Sequence, residues 1–291
     1  MEHWNELRTA LTLARLGTVS AAAEALGVHR ATVNRHIDVL EHDFGAPLFQ
    51  RHARGYTLTE TGQQMLDVVA RADDMFTDLA GKSRGRAGKL SGKLIVTALS
   101  GFASLIMPAI RSFHQSHPEI ELEFVAGAQL SRLEHGDAHV AFRAGPKPET
   151  PDYVVQIYGM IRFGLYVSQD YVNRKGMPRP SRLGDHLFVG TIEDTSPLPY
   201  ARWMSQNVAP QQLALTSRSQ TVQSAAILEG LGLGFLPEFE AVGDNRMLCV
   251  APPSEDWSAP LWTVTHVDLH RTEKVQSFLT HVRARRALRS N

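Results

Sequence analysis

Cysteine is nearly missing from this chain: its 291 residues contain one, Cys249. That excludes an intramolecular disulfide and a thiolate zinc cluster, and it fits a reducing compartment. Net charge is missing too, with 30 lysines and arginines against 30 acids. The first 58 residues hold six arginines and six acids, so no broad basic footprint marks a nucleic-acid partner, and any such binding should depend only modestly on salt. No apolar run reaches the roughly 18 residues of a membrane span. The opening MEHWNELRTALTLARLG scatters charges through its apolar positions, unlike a secretion signal. A cytoplasmic protein without a membrane partner is expected. No serine, histidine and acid grouping stands out as a catalytic set, so an enzyme reading has nothing to rest on. The histidines at 29, 36, 42 and 52 are too scattered to ligate metal from one helix face, and no cofactor is expected. Gly230 to Gly234 follows a helical pattern and precedes a strand, the reverse of the phosphate-binding order, and reads as a tight turn.

What is present is ordinary globular material, 43% hydrophobic and 21% charged, long enough for more than one domain. The stretch from Ser20 to Phe44, SAAAEALGVHRATVNRHIDVLEHDF, reads as two helices joined by a tight turn. Ser20 is placed to cap the first, alanine-rich helix, and Gly27 ends it. Val33, Ile37, Leu40 and Phe44 form one apolar stripe on the second. The opposite side carries Ala31, Arg35, Asp38 and His42, with Thr32 and Asn34 on its flanks. A helix-turn-helix puts such first-turn residues against base edges in the major groove, although two amphipathic helices with a glycine turn also occur in proteins that never touch DNA. Ahead of them, a helix with Trp4, Leu7, Leu11 and Ala14 on one side should roof the pair, and its Arg8 and Arg15 could reach phosphate. After them, Phe49 to Arg51 and Gly55 to Leu58 read as two short strands around the tip His52-Ala53-Arg54-Gly55, a wing.

Here the sequence resembles a known family. Ala21 to Leu26, Arg35, Ile37, Leu40-Glu41, Gly45-Ala46-Pro47-Leu48-Phe49, Arg51, Gly55 and Leu58-Thr59-Glu60-Thr61-Gly62 are similar to the winged helix-turn-helix of LysR-type transcriptional regulators. The resemblance implies double-stranded DNA as partner. Arg30, Ala31, Thr32, Asn34 and Arg35 would read bases, and Arg51 and Arg54 would hold the wing at phosphate or minor groove. Where most relatives have Ser-Gln-Pro-Ala-Leu-Ser-Arg, this chain has His29-Arg30-Ala31-Thr32-Val33-Asn34-Arg35. Arg30 favours guanine and Asn34 adenine, so an unusual operator is expected.

The expected organisation is a winged helix-turn-helix domain over residues 1–58, a long linker helix and hinge over 59–90, and a two-lobed α/β effector domain over 91–291. Thr59 can cap the linker helix, which should run to about Ala80. Met65, Val69, Ala72, Phe76 and Leu79 alternate spacings of four and three, a narrow seam of the coiled-coil kind. The resemblance implies that this helix pairs with its counterpart in a homodimer, with dimers pairing into tetramers. Gly81 to Lys93 mixes glycine, serine and basic residues and reads as a hinge.

Beyond Lys93, strands alternate with helices, which predicts a mostly parallel sheet. Lobe I is expected over about 91–161 and 268–291, lobe II over about 162–267. The resemblance implies an effector domain similar to periplasmic solute-binding proteins, with an unidentified small molecule held between the lobes. Ligands in open α/β sheets sit at the carboxyl ends of strands. That rule selects Ser100, Gly101 and Phe102, with Phe102 covering the ligand, then Gln129, Arg143, Thr191, Arg202 and Thr221. Arg143 could pair with an anionic group or with an internal acid. A helix of Leu130 to His135 is expected, about a turn shorter than in typical relatives. Two alternatives stay open: a solute-binding or sequestering protein, and an oxidant sensor working through Cys249 or methionines, although Cys249 lacks a partner thiol.

Overall fold

Thr18, not Ser20, opens the helix-turn-helix. In the computed structural model, which describes residues 3–52, 55–83, 90–127, 133, 138–190 and 198–287, Thr18 is extended and its hydroxyl accepts from the Ala21 amide at 3.3 Å. Ser20 lies inside the helix and is exposed. The three helices are α1 (Trp4–Leu16), α2 (Val19–Leu26) and α3 (Arg30–Phe44). Gly27 ends α2 at φ +66°, where a side chain would be strained, and the Val28 amide reaches back to the Ala23 carbonyl at 3.0 Å. This helix-closing bond turns the chain toward α3. On α3, Val33, Ile37 and Leu40 are buried as expected, but Phe44 is 49% exposed, because the helix ends there at Gly45, past the edge of the core.

The wing is β1 (Phe49–His52) paired antiparallel with β2 (Gly55–Leu58), with Phe49 opposite Leu58 and Arg51 opposite Tyr56. Glu41 on α3 anchors its base: one carboxylate oxygen accepts from the amides of Leu48 and Phe49 at 2.8 and 3.0 Å. The Tyr56 amide ties the other strand to the Gly17 carbonyl at 2.9 Å.

The linker helix α4 (Glu60–Ser83) runs past Ala80, and Thr59 caps it by accepting from the Gly62 amide at 3.0 Å. Its seam differs from the expected one. Met65 and Val69 are buried in the core of their own domain, beside Leu66 and Ala70, because three short helices leave an apolar opening that α4 closes. Phe76 packs on Trp4 at 4.9 Å between ring centres. Among the described side chains of α4, the exposed large apolar residues are Val68, Met75 and Phe76, of which only Phe76 belongs to the expected seam; Leu79 lies outside the described side chains.

The effector region begins with β3 (Gly92–Ala98), α5 (Ala103–Ser116), β4 (Ile120–Ala126), β5 (Val140–Ala144) and β6 (Tyr153–Ile161). Then come β7 (Phe163–Ser168), α6 (Gln169–Lys175), β8 (Phe188–Gly190), α7 (Pro199–Asn207), β9 (Leu213–Thr216) and α8 (Gln220–Leu228). The chain closes with β10 (Gly234–Pro237), α9 (Glu238–Ala241), β11 (Met247–Ala251), β12 (Ala259–His266), α10 (Val267–His270) and α11 (Glu273–Ala287). The five-stranded sheet has the order β4-β3-β5-β12-β6. It is mixed rather than mostly parallel: β3 is parallel to β4 and β5, whereas β12 is antiparallel to β5 and β6. Because β12 lies inside the first lobe's sheet, the chain returns from the second lobe before Ala259, not at 268. The second lobe combines an antiparallel trio, β10-β7-β11, with the parallel pair β8-β9. Strands β6 and β11 go beyond the sequence pattern. On the first sheet, α5 and α11 pack through Phe113 and Phe278, edge to face at 5.2 Å. Of the expected helix at 130–135 only Leu133 is among the described residues, and residues 84–89 of the expected hinge lie outside them. No helix among the described residues is long and apolar enough to cross a membrane.

Candidate functional site

Two places gather the residues that the sequence singles out. The first is the outward side of α3. With Val33, Ile37 and Leu40 turned into the core, the helical period leaves Arg30, Ala31, Arg35, Asp38 and His42 exposed and Thr32 and Asn34 half-buried. The wing stands beside this face and is joined to it by side chains. Arg51 Nη2 lies 2.8 Å from Asp38 Oδ1 and 4.0 Å from Glu41 Oε2. Its guanidinium sits 5.8 Å from the Tyr56 ring centre, and the Tyr56 hydroxyl donates to Asn34 Oδ1 at 3.5 Å. The hydrogen bond to Asp38 and the neighbouring Tyr56 hold the Arg51 guanidinium above its ordinary pKa. At the hairpin's end, the His52 ring bonds the Thr57 hydroxyl at 2.9 Å. Arg54 lies outside the described residues. Behind α3, the Thr9 hydroxyl meets His36 Nδ1 at 2.8 Å, and Arg15 faces Asp73 at 3.9 Å. Sequence reasoning misses Asp38 and Tyr56 as partners of the site. Their one signal is that Tyr56 falls opposite Arg51 in the hairpin register.

The second place lies between the lobes. Ser100 opens the short turn that leads into α5, and its hydroxyl lies 3.2 Å from that of Thr221, in the first turn of α8. Gly101 meets Gln220: a Cβ on Gly101 would come within 3.3 Å of the Gln220 side chain. Gln220 is held from both ends, its oxygen accepting from the Tyr200 hydroxyl at 3.3 Å and its nitrogen donating to the Phe235 carbonyl at 3.3 Å. Burial pushes the Tyr200 hydroxyl up to about 12, so it stays a donor at neutral pH. Its ring stacks on Phe235 at 5.2 Å. Tyr200 and Gln220 thus support the cleft, although no periodicity in the sequence marks them for it.

The remaining candidates are distributed differently. Phe102 is 3% exposed and belongs to the lobe core, so it supports the turn from behind and does not cover a ligand. Arg143 is buried, and its Nη1 donates to the carbonyls of Phe142 at 2.8 Å and Thr97 at 3.4 Å. Burial lowers its pKa to about 10, which leaves it cationic at neutral pH. Arg202 is exposed, on the side of α7 opposite the buried Tyr200, Ala201 and Met204. Gln129 and Thr191 lie outside the described residues. The Cys249 thiol is pushed up by partial burial and by Glu238, which keeps it away from the reactive thiolate form.

Among the described residues, the linker helix meets the effector domain at the start of α10. Arg71 of α4 approaches Asp268 of α10, Nε to Oδ2, at 3.3 Å. Asp268 is two residues past the end of β12, and its Oδ2 lies 3.4 Å from His266 Nδ1.

Comparison with known proteins agrees with this architecture. Residues 4–63 match the family model described as bacterial regulatory helix-turn-helix protein, lysR family, and residues 87–287 match the LysR substrate binding domain. Over 264 residues the chain is 28% identical to the HTH-type transcriptional regulator YhjC of Escherichia coli (strain K12), covering 87% of each. A full-length OxyR variant from Pseudomonas aeruginosa superimposes with a TM-score of 0.74 at 17% identity, covering 96% of this chain and 94% of that one. Full-length CbnR in complex with its target DNA gives 0.63 at 20% identity, covering 97% and 99%. These matches leave the solute-sequestering and oxidant-sensing alternatives without support. With a helix-turn-helix model on its first part and a substrate-binding model over most of the remainder, the chain belongs to the LysR family of transcriptional regulators.

Proposed function

We propose that this regulator reads its operator as a homodimer, with α3 of each copy in the major groove. Arg30, Ala31, Thr32, Asn34 and Arg35 meet base edges, and Arg54 at the wing tip meets phosphate or minor groove. One observation carries the reading: α3 buries Val33, Ile37 and Leu40 while Arg30, Ala31 and Arg35 stand exposed beside a wing. That CbnR was solved on its target DNA supports it. The exposed Val68, Met75 and Phe76 on α4 give the dimer its apolar face, and dimers pair further into tetramers. The protein works in the cytoplasm and performs no catalysis of its own.

A small molecule enters between the lobes at Ser100, Gly101 and Thr221, with Arg143 supplying positive charge from the first lobe. Gln129, Thr191 and Arg202 complete the expected set, and Phe102 backs it. A ligand that favours one arrangement of lobes or subunits shifts the spacing of the two α3 helices.

The test is selection of binding sites from sheared genomic DNA of the source organism by the purified full chain. Support is a compact set of inverted repeats with half-sites about one helical turn apart. Enrichment no better than random contradicts the proposal.

A further inference from the structure

We propose that Arg51 is the internal counter-ion of Asp38, a positioning residue that lets an acidic recognition helix lie against DNA, and not itself a phosphate contact. The inference rests on the DNA-reading role of α3. Asp38 shares the exposed face of α3 with Ala31 and Arg35, and its side chain is 62% exposed. A carboxylate there meets a duplex carrying one negative charge per roughly 1.7 Å of axis. Glu41 is one turn inward, and its Oε1 is already engaged by the amides of Leu48 and Phe49. Asp38 has no such backbone partner among the described hydrogen bonds, and Arg51 reaches it across the wing at 2.8 Å. The guanidinium is steered there from two sides, by Glu41 Oε2 at 4.0 Å and by the Tyr56 ring at 5.8 Å.

The pairing has consequences at two levels. Electrostatically, it cancels an acid on the face that carries the base readers, in a stretch where six arginines only balance six acids. Arg8, Arg30 and Arg35, with Arg54, are then left to meet phosphate or bases. Geometrically, it ties β1 to the middle of α3, and the Tyr56 to Asn34 bond ties β2 to its first half. The wing and the helix therefore approach DNA as one unit.

The test is a double-mutant cycle on the full chain: wild type, Arg51→Gln, Asp38→Asn and the double variant, each titrated with an operator duplex obtained by site selection at several salt concentrations. Arg51→Gln should weaken binding about tenfold, and adding Asp38→Asn should restore it to within about threefold. The salt slope of the double variant should equal that of the wild type. Both side chains are more than half exposed, so all four proteins should share one thermal midpoint. The proposal is overturned if Asp38→Asn fails to restore binding while the slope drops by about one in both Arg51 variants, the mark of a lost phosphate contact. It is overturned as well if Arg51→Gln binds like the wild type. Absence of binding by the wild type would instead overturn the DNA-reading role itself, and this inference with it.

Discussion

The Ser100 hydroxyl lies 3.2 Å from the Thr221 hydroxyl, 121 residues away in the other lobe. Each is at the start of a helical turn, and on the proposed reading an effector exchanges this pair for its own hydrogen bonds. Thr221→Val keeps the side-chain shape and removes the hydroxyl. One net hydrogen bond contributes about 0.5–1.5 kcal/mol. Thr221→Val should therefore weaken binding of an effector found by thermal-shift screening by roughly three- to tenfold. Operator affinity without effector should stay within about twofold. Unchanged effector affinity would remove Thr221 from the site.

The Arg71–Asp268 pair joins the linker helix to the effector domain, which makes it the place to test how the proposed effector signal reaches α4. Strand β12 starts at the crossover between lobes, where the Gly145 amide donates to the Pro260 carbonyl at 2.9 Å, and its far end leads into Asp268. Asp268→Asn should leave operator and effector affinities, each measured alone, within about twofold of wild type. It should shrink the factor by which effector changes operator affinity, a quantity typically worth about 1–3 kcal/mol. A full-sized factor in the variant would show that the signal takes another route.

Gly62 sits where α4 crosses the base of the wing. A Cβ there would run into the Leu48 carbonyl oxygen, which the Thr59 amide already uses at 3.0 Å. Backbone cannot swing aside as a side chain can, so Gly62→Ala should destabilise the amino-terminal domain by about 1–3 kcal/mol. Hydrogen exchange of the α1 to α4 amides across a urea series reads this, and a midpoint equal to wild type would contradict it.

Two histidines should make stability fall on acidification. Burial, and then His281, lowers the His117 pKa; burial, and then Arg283 and Arg271, lowers that of His270. Both rings therefore favour the neutral form when folded, and the unfolded chain takes up more protons once pH falls below the ordinary value of 6.5. Stability present above that value should be lost below it. The thermal midpoint should drop between about pH 7.5 and pH 5.5, and His270→Gln should show a smaller drop. An equal drop in the variant would place the effect in other groups.

Local features were legible and long-range ones were not. The period of Val33, Ile37 and Leu40 marked the buried side of α3, and Thr59 announced the start of α4, because both depend on neighbours within a turn or two. Phe44 was misplaced because periodicity does not say where the core ends. Met65 and Val69 fit a coiled-coil seam equally well as a lid on their own domain, and only the opening left by α1 to α3 decides between them. The lobe boundary expected at 268 fell after β12, because the partners β5 and β6 are set by pairing across more than a hundred residues, as in the Thr263 hydroxyl to Gln156 carbonyl bond at 3.2 Å. Ser100 and Thr221 were found separately by the strand-end rule, but their contact across the cleft was invisible. So was the bond from Arg51 to Asp38, since neither residue's own helix or strand predicts the other.

The proposed base reading by α3 is tested most directly at Arg35. Titrating wild type and Arg35→Ala with a selected operator and with a scrambled duplex at one salt concentration decides it. Arg35→Ala should lose about 1–3 kcal/mol on the operator and much less on the scrambled duplex. An Arg35→Ala protein that footprints the operator at the same concentration as wild type would contradict it.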